Sequence, residues 1–235
     1  MKLGIMQPYF FPYIGYFALI NYVDAFIFFD TPQYIHHGWI NRNRILKQNG
    51  EVGYMTVPHL KASRSTAIKD IVIDERLHWR EKIFGQLTVY KKAPNYSKVI
   101  DFLHDVLDRK YSSLSILNMS STMNVCDFLG ISKEFKVFSS TTIRLNEIRA
   151  PDEWALNITK VLGYDTYVNP PGGMSFFDRS KYENGGIRLE FLQANVVPYV
   201  QRIGHFESNL SIIDVMMFCS VDEIKNMLND YEIIC

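Results

Sequence analysis

The first 22 residues, Met1–Tyr22 (MKLGIMQPYFFPYIGYFALINY), hold two prolines, seven aromatic residues and one charged side chain, Lys2. A secretory signal would need an unbroken apolar core behind a basic start, and Gln7, Pro8 and Pro12 interrupt any such core. A spanning helix would need about 20 apolar residues, and Gln7, Pro8, Pro12, Asn21 and Asp24 break every window of that length. Pro12 also stops a helix from running through it. What remains is a strand at Leu3–Met6, a turn holding Pro8 and Pro12, and a helix from about Tyr13 to Val23. Ala25-Phe26-Ile27-Phe28-Phe29 then runs into Asp30 as a nearly all-apolar strand, the pattern of a buried parallel sheet. The chain therefore opens β-α-β, and the lack of an export signal predicts a cytoplasmic protein.

Composition narrows the class. The 235 residues are 47% hydrophobic and 14% aromatic, and Lys+Arg and Asp+Glu number 25 each, for zero formal charge. Zero net charge supplies no bulk attraction to nucleic acid or an anionic membrane. Cys126, Cys219 and Cys235 form no C-x-x-C pair and are odd in number, which predicts a reducing compartment and neither a disulfide framework nor a cysteine zinc site. No H-E-x-x-H spacing occurs among the six histidines, and no metal site is expected.

No repeat, low-complexity tract or Gly/Ser linker divides the chain, so residues 1–235 read as a single α/β domain. Trp39–Leu46 and Tyr54–Pro58 read as strands around the Asn49-Gly50 turn, and Ile68–Ile73 as another. Helices are expected at Glu75–Tyr90, Val99–Asp108 and Leu114–Leu129, the last closed by Gly130, giving a mainly helical region at about 75–130. A strand at Phe135–Phe138, a helix at Glu153–Leu162 and a strand at Asp165–Asn169 lead into Pro170-Pro171-Gly172-Gly173. Strands at Ile187–Phe191 and Val197–Gln201 precede two helices with capping-box signatures, Ser211 with Asp214 and Ser220 with Glu223.

Three stretches carry candidate chemistry. Pro12-Tyr13-Ile14-Gly15-Tyr16, between first strand and first helix, resembles the H-x-G-H segment of nucleotidyltransferases, where glycine lets backbone approach phosphates and the helix N-terminus stabilises their charge. Tyrosines replace the histidines; with a reference pKa of about 10 they donate hydrogen bonds but supply no cation. Tyr13 and Tyr16 either serve a ligand or pack the helix on the sheet. Phe138-Ser139-Ser140-Thr141-Thr142-Ile143-Arg144 resembles the I-S-S-T-x-I-R segment of the same enzymes, where hydroxyls and amides bind phosphate; a plain helix cap is the alternative. The implied fold is a Rossmann-like parallel sheet resembling the nucleotidyltransferase superfamily, with an inserted helical region.

The third stretch is Asp30-Thr31-Pro32-Gln33-Tyr34 with Gly38-Trp39-Ile40-Asn41-Arg42-Asn43-Arg44. Asp30 ends a buried parallel strand, where open α/β sheets hold ligands. Trp39 offers a stacking face. Alternation puts Asn41 and Asn43 on one face of a strand and Arg42 and Arg44 on the other; amides suit sugar hydroxyls or bases, guanidinium groups suit carboxylate or phosphate. His59 follows Pro58 at a strand end and is the first candidate general base, ahead of His36 and His37. Gly172-Gly173 either lets backbone approach a ligand or forms a tight turn. Cys126 lies in an apolar helical stretch and reads as core.

Met6 through Phe17, Asp30 with Gln33, Gly38 through Asn43, Thr56-Val57-Pro58, Tyr90 with Ala93-Pro94, Ser139-Ser140, Gly172-Gly173 and Leu210 through Asp214 together resemble the WbqC-like family. That resemblance implies a role in bacterial O-antigen and other surface-polysaccharide synthesis, on an activated sugar. Members often carry a basic residue in the loop before the tryptophan; here His36-His37 stand there.

Three functions follow as expectations. The first is an acyl or aminoacyl (for example glycyl) transferase acting on a nucleotide-linked amino sugar, with His59 or Asp30 as base and Tyr13, Tyr16, Asn41 and Asn43 supplying hydrogen bonds. Gln7, Gly15, Gln33, Trp39, Arg42, Ser139, Ser140, Gly172 and Gly173 complete its site. The second is nucleotidyl transfer, which would require magnesium; the first requires no cofactor. The third is a non-catalytic nucleotide-sugar-binding protein. The expected partners are a nucleotide-activated sugar and an acyl or aminoacyl donor, with no DNA and no membrane span.

Overall fold

In a computed structural model describing residues 1–145, 147–201 and 205–235, the opening stretch forms strand β1 (Lys2–Met6), a loop, and helix α1 (Ile14–Tyr22). β2 (Ala25–Phe28) lies parallel to β1. Apolar alternation then fixes the two faces of the sheet. Leu3, Ile5, Ala25 and Ile27 share one buried cluster, whereas Phe26 and Phe28 join α1 in the other, as a period of two requires. α1 is apolar all round, with seven of its residues buried.

The hairpin β3 (Arg42–Leu46) and β4 (Val52–Thr56) stands apart from the sheet. Helices α2 (Trp79–Leu87), α3 (Tyr96–Leu107) and α4 (Leu114–Leu129) follow. Gly130, at φ 68°, closes α4. The chain returns through β5 (Glu134–Val137), α5 (Glu153–Val161), β6 (Thr166–Asn169), α6 (Arg179–Asn184) and β7 (Arg188–Ala194). It ends with α7 (Ile212–Phe218), α8 (Val221–Leu228) and β8 (Tyr231–Ile234).

The main sheet runs β5-β2-β1-β6-β7-β8. All its pairs are parallel except β7 with β8. This is the order of a doubly wound sheet, and strand order reverses between β1 and β6. α1, α4, α7 and α8 contribute to the cluster on one face; α5 and α6 cover the other. No helix among the described residues is long and apolar enough to cross a membrane.

Several expected elements differ. Ile68–Ile73 is not a strand. A 3-10 turn occupies Ile68–Asp70, because Ile68 and Lys69 direct their N–H groups to the carbonyls of Pro32 and Asp30. Val197–Gln201 forms no strand; the Tyr199 and Gln201 side chains are drawn instead to Asp214. The first strand of the hairpin begins at Arg42 rather than Trp39, and the helix expected from Glu75 begins at Trp79 and gives way to a 3-10 turn at Thr88–Tyr90. Ser220 and Glu223 form the full capping box. Ser211 caps α7 alone, since Asp214 turns inward to Tyr90, Tyr199 and Gln201. α6 and β8 were not legible in the sequence.

Candidate functional site

Open α/β sheets place ligands beyond the carboxyl ends of their strands, at the switch point. A cavity of about 420 Å³ lies there. β1 contributes Ile5 and the following Gln7, and the end of β2 contributes Phe29, Thr31 and Pro32. Tyr167 comes from β6, Phe176 and Phe177 from the loop after it, and Pro151, Trp154 and Ala155 from the start of α5. Two aromatic groups supply these walls. Phe29 meets Trp154 at 5.5 Å and Phe138 at 5.2 Å between ring centroids; Phe177 meets Tyr167 at 5.5 Å and Phe176 at 5.1 Å. Burial pushes the Tyr167 phenol above its usual value, and its hydroxyl donates to Asn169 Oδ1 at 2.9 Å.

The β1–α1 loop that carries Gln7 is tied down along its length. Tyr16 Oη donates to the Gln7 carbonyl at 2.9 Å, and Asn118 Nδ2 to the Pro8 carbonyl at 2.8 Å. Asn43 Nδ2 donates to the carbonyls of Phe10 and Phe11 at 3.0 and 2.9 Å. Ser211 Oγ also donates to Phe11, at 2.8 Å. These bonds hold Phe11 at φ 41°, a left-handed conformation that costs a non-glycine residue of order 1–3 kcal/mol.

Most residues singled out in the sequence are thus engaged with protein. Tyr16 is fully buried, and burial raises its phenol well above the usual range. Tyr13 is half-buried, with its phenol likewise raised. Its ring lies over Gly15, where an added Cβ would sit 2.4 Å from the ring; glycine is needed here to seat Tyr13. Asn41 Nδ2 donates to the Val57 carbonyl at 3.2 Å. Arg42 donates to the His37 carbonyl and lies over the Tyr54 ring at 4.4 Å. Arg44 donates to the carbonyls of Ser208 and Asn209. The alternating N-R-N-R strand is therefore a fastening between the hairpin and neighbouring loops.

Asp30 is 2% exposed and receives Ser139 twice, from the backbone N–H at 3.0 Å and from Oγ at 2.6 Å. This pins the end of β2 to the 3-10 turn Phe138–Ser140 after β5. Ser140 and Gln33 are exposed, Gln33 forming a bridge with Ala67. Trp39 is 41% exposed, and its carbonyl accepts from Phe10 N–H. Gly172 and Gly173 form a 3-10 turn after β6; a Cβ on Gly173 would meet Asn169 Nδ2 at 2.2 Å.

Two polar side chains of the cavity are uncommitted. Neither the Gln7 amide nor the Thr31 hydroxyl has a hydrogen-bond partner among the described residues. Three residues beyond Thr31, within about 11 Å of extended chain, the Tyr34 ring meets His59 at 5.0 Å and His36 at 5.1 Å. His59 Nδ1 lies 2.8 Å from the Leu60 carbonyl. A carbonyl only accepts, so neutral His59 carries its proton on Nδ1 and presents a bare Nε2. Among the described residues no group of three or more His, Cys, Asp or Glu is disposed to hold a metal ion.

Sequence reading missed Thr31, Trp154, Tyr167 and Phe176. Thr31 had a usable signal, being next to Asp30 at a strand end. The aromatic residues looked like ordinary core, and only the return of β6 beside β1 brings them to the crevice.

The fold and its crevice define a doubly wound α/β protein with a small-molecule-sized pocket at the switch point. The chain belongs to the WbqC-like protein family, whose profile matches residues 7–226. It is 30% identical over 222 residues to an uncharacterized protein of Mycobacterium tuberculosis, Rv1507c, with 92% of each chain covered. No solved structure matches the chain.

Proposed function

We propose that this protein is a cytoplasmic group transferase of bacterial surface-polysaccharide (O-antigen) synthesis, moving an acyl or aminoacyl group, for example glycyl, onto a nucleotide-linked amino sugar. The observation that carries the reading is the crevice at the switch point, with aromatic walls and two polar side chains, Gln7 and Thr31, that have no hydrogen-bond partner among the described residues. Small-ligand sites combine apolar walls with a few polar groups in this way. Transfer to an amine needs a base near neutrality. The Asp30 carboxylate is buried and already bonded twice by Ser139, so the role goes to His59, which stands outside the lining of the crevice and reaches the amine only where that group projects from it. As the amine attacks the acyl carbonyl, His59 Nε2 takes its proton and the leaving group departs with the electron pair.

The test is a thermal-shift screen against nucleotide sugars, free nucleotides and acyl or aminoacyl donors, with and without magnesium. A ligand at 100 times its Kd adds about 2.7 kcal/mol, or roughly 5–11 °C for a chain of this size. Stabilisation by a nucleotide-linked amino sugar without magnesium is expected, together with turnover that His59→Asn abolishes while the shift remains. Stabilisation only by a nucleoside triphosphate with magnesium would replace this reading with nucleotidyl transfer. Binding without turnover for any donor would make the protein a nucleotide-sugar carrier, and silence across the panel would overturn the reading.

A further inference from the structure

We infer that the crevice takes the pyranose ring of the ligand and leaves its charged groups, the phosphates and the amine, outside, an inference that rests on the nucleotide-sugar reading. Among the described residues its lining contains no charged side chain. A phosphate moved from water into such walls would lose hydration with no cation to compensate. The volume, about 420 Å³, is near the low end of the roughly 300–1,000 Å³ of small-ligand sites. That is room for one substituted ring and too little for a whole nucleotide sugar. Trp154, Phe29 and Phe176 offer flat apolar surface to the C–H faces of such a ring. The Gln7 amide and Thr31 hydroxyl can each donate and accept, which matches sugar hydroxyls that do both. Gln7 is delivered by a loop fixed at the adjacent Pro8 carbonyl by Asn118, so its position exists before ligand arrives.

The experiment is calorimetric titration of wild type, Trp154→Ala and Thr31→Val with UDP-, dTDP- and GDP-linked amino sugars, the parent nucleoside diphosphates, and methyl glycosides of the same sugars. Thr31→Val keeps shape and removes only the hydroxyl, so it carries the test if Trp154→Ala fails to fold. Expected is a loss of tenfold or more in nucleotide-sugar affinity for Trp154→Ala and three- to tenfold for Thr31→Val, with parent diphosphates bound as by wild type. Equal weakening of the parent diphosphate would place the base in the crevice and overturn the inference, as would no weakening of either. If wild type binds methyl glycosides, sensitive to both substitutions, but no nucleotide sugar, the crevice assignment stands and the nucleotide-sugar reading fails. If wild type binds neither, both fall.

Discussion

Replacing Asn43 decides whether the N-R-N-R strand holds ligand or holds the protein together. Asn43 is 4% exposed. In Asn43→Ala the Phe10 carbonyl loses its side-chain partner, while Phe11 keeps Ser211. Asn43 Oδ1 also accepts from Arg44 N–H at 2.8 Å, and that bond is lost. A buried group left unpaired costs about 1–3 kcal/mol and each further bond about 1 kcal/mol, so the total is about 3–5 kcal/mol. That is a large share of the roughly 5–15 kcal/mol by which domains are stable. At a urea m-value of about 2–3 kcal/mol/M the midpoint should fall by roughly 1–2.5 M with no ligand present. Asn43→Asp should cost more, since a carboxylate would face the two carbonyls with no hydrogen to offer. A midpoint within about 0.3 M of wild type, with ligand binding lost, would refute the structural assignment and return Asn43 to the site.

Three further outcomes are expected. Burial raises the Asp214 carboxyl above its ordinary value, against the bonds from Tyr199, Tyr90 and Gln201. A carboxyl raised in the folded state favours folding most below its unfolded value of about 4 and loses that contribution as pH rises through the folded value. The stability difference between wild type and Asp214→Asn should therefore shrink with rising pH over that window in urea titrations; a growing difference would contradict the sign. Ser139→Ala removes a hydroxyl–carboxylate bond to buried Asp30 and should cost about 1.5–3 kcal/mol, and a loss under about 0.5 kcal/mol would mean the tie is idle. Burial pushes the thiols of Cys126 and Cys219 up to about 12, whereas Cys235 is exposed. At pH 8 the native protein should take one alkyl group rapidly and the unfolded chain three, because the thiolate is the reactive form; rapid native modification of two or more would be inconsistent with this packing.

The β-α-β start was legible because Pro12 and the all-apolar run Ala25–Phe28 leave few alternatives. Gly130, Ser211 and Ser220 marked helix ends correctly because capping is local chemistry. Ile68–Ile73 and Val197–Gln201 misled for the opposite reason: both have strand-like composition, but their bonding is decided by distant partners, the Asp30–Pro32 carbonyls and Asp214. The site divided likewise. Gln7 could be placed beside the crevice from its position after β1. Asn43, Arg42 and Arg44 looked like ligand groups because amides and guanidinium groups bind main-chain carbonyls with the same geometry they offer a substrate. Trp154 and Phe176 carry no local sign that separates a crevice wall from core.

The bonds along the β1–α1 loop come from residues between 9 and 200 positions away, from Tyr16 to Ser211. That wall of the crevice consequently has no local existence. It is assembled only when the hairpin, α4 and the start of α7 have all reached their places. Such non-local closure is slow relative to helix formation, so competence to bind should appear only once these distant parts of the chain have come together. Ligand affinity is then a gauge of whether Asn43, Asn118 and Ser211, far apart in sequence, still meet at the loop.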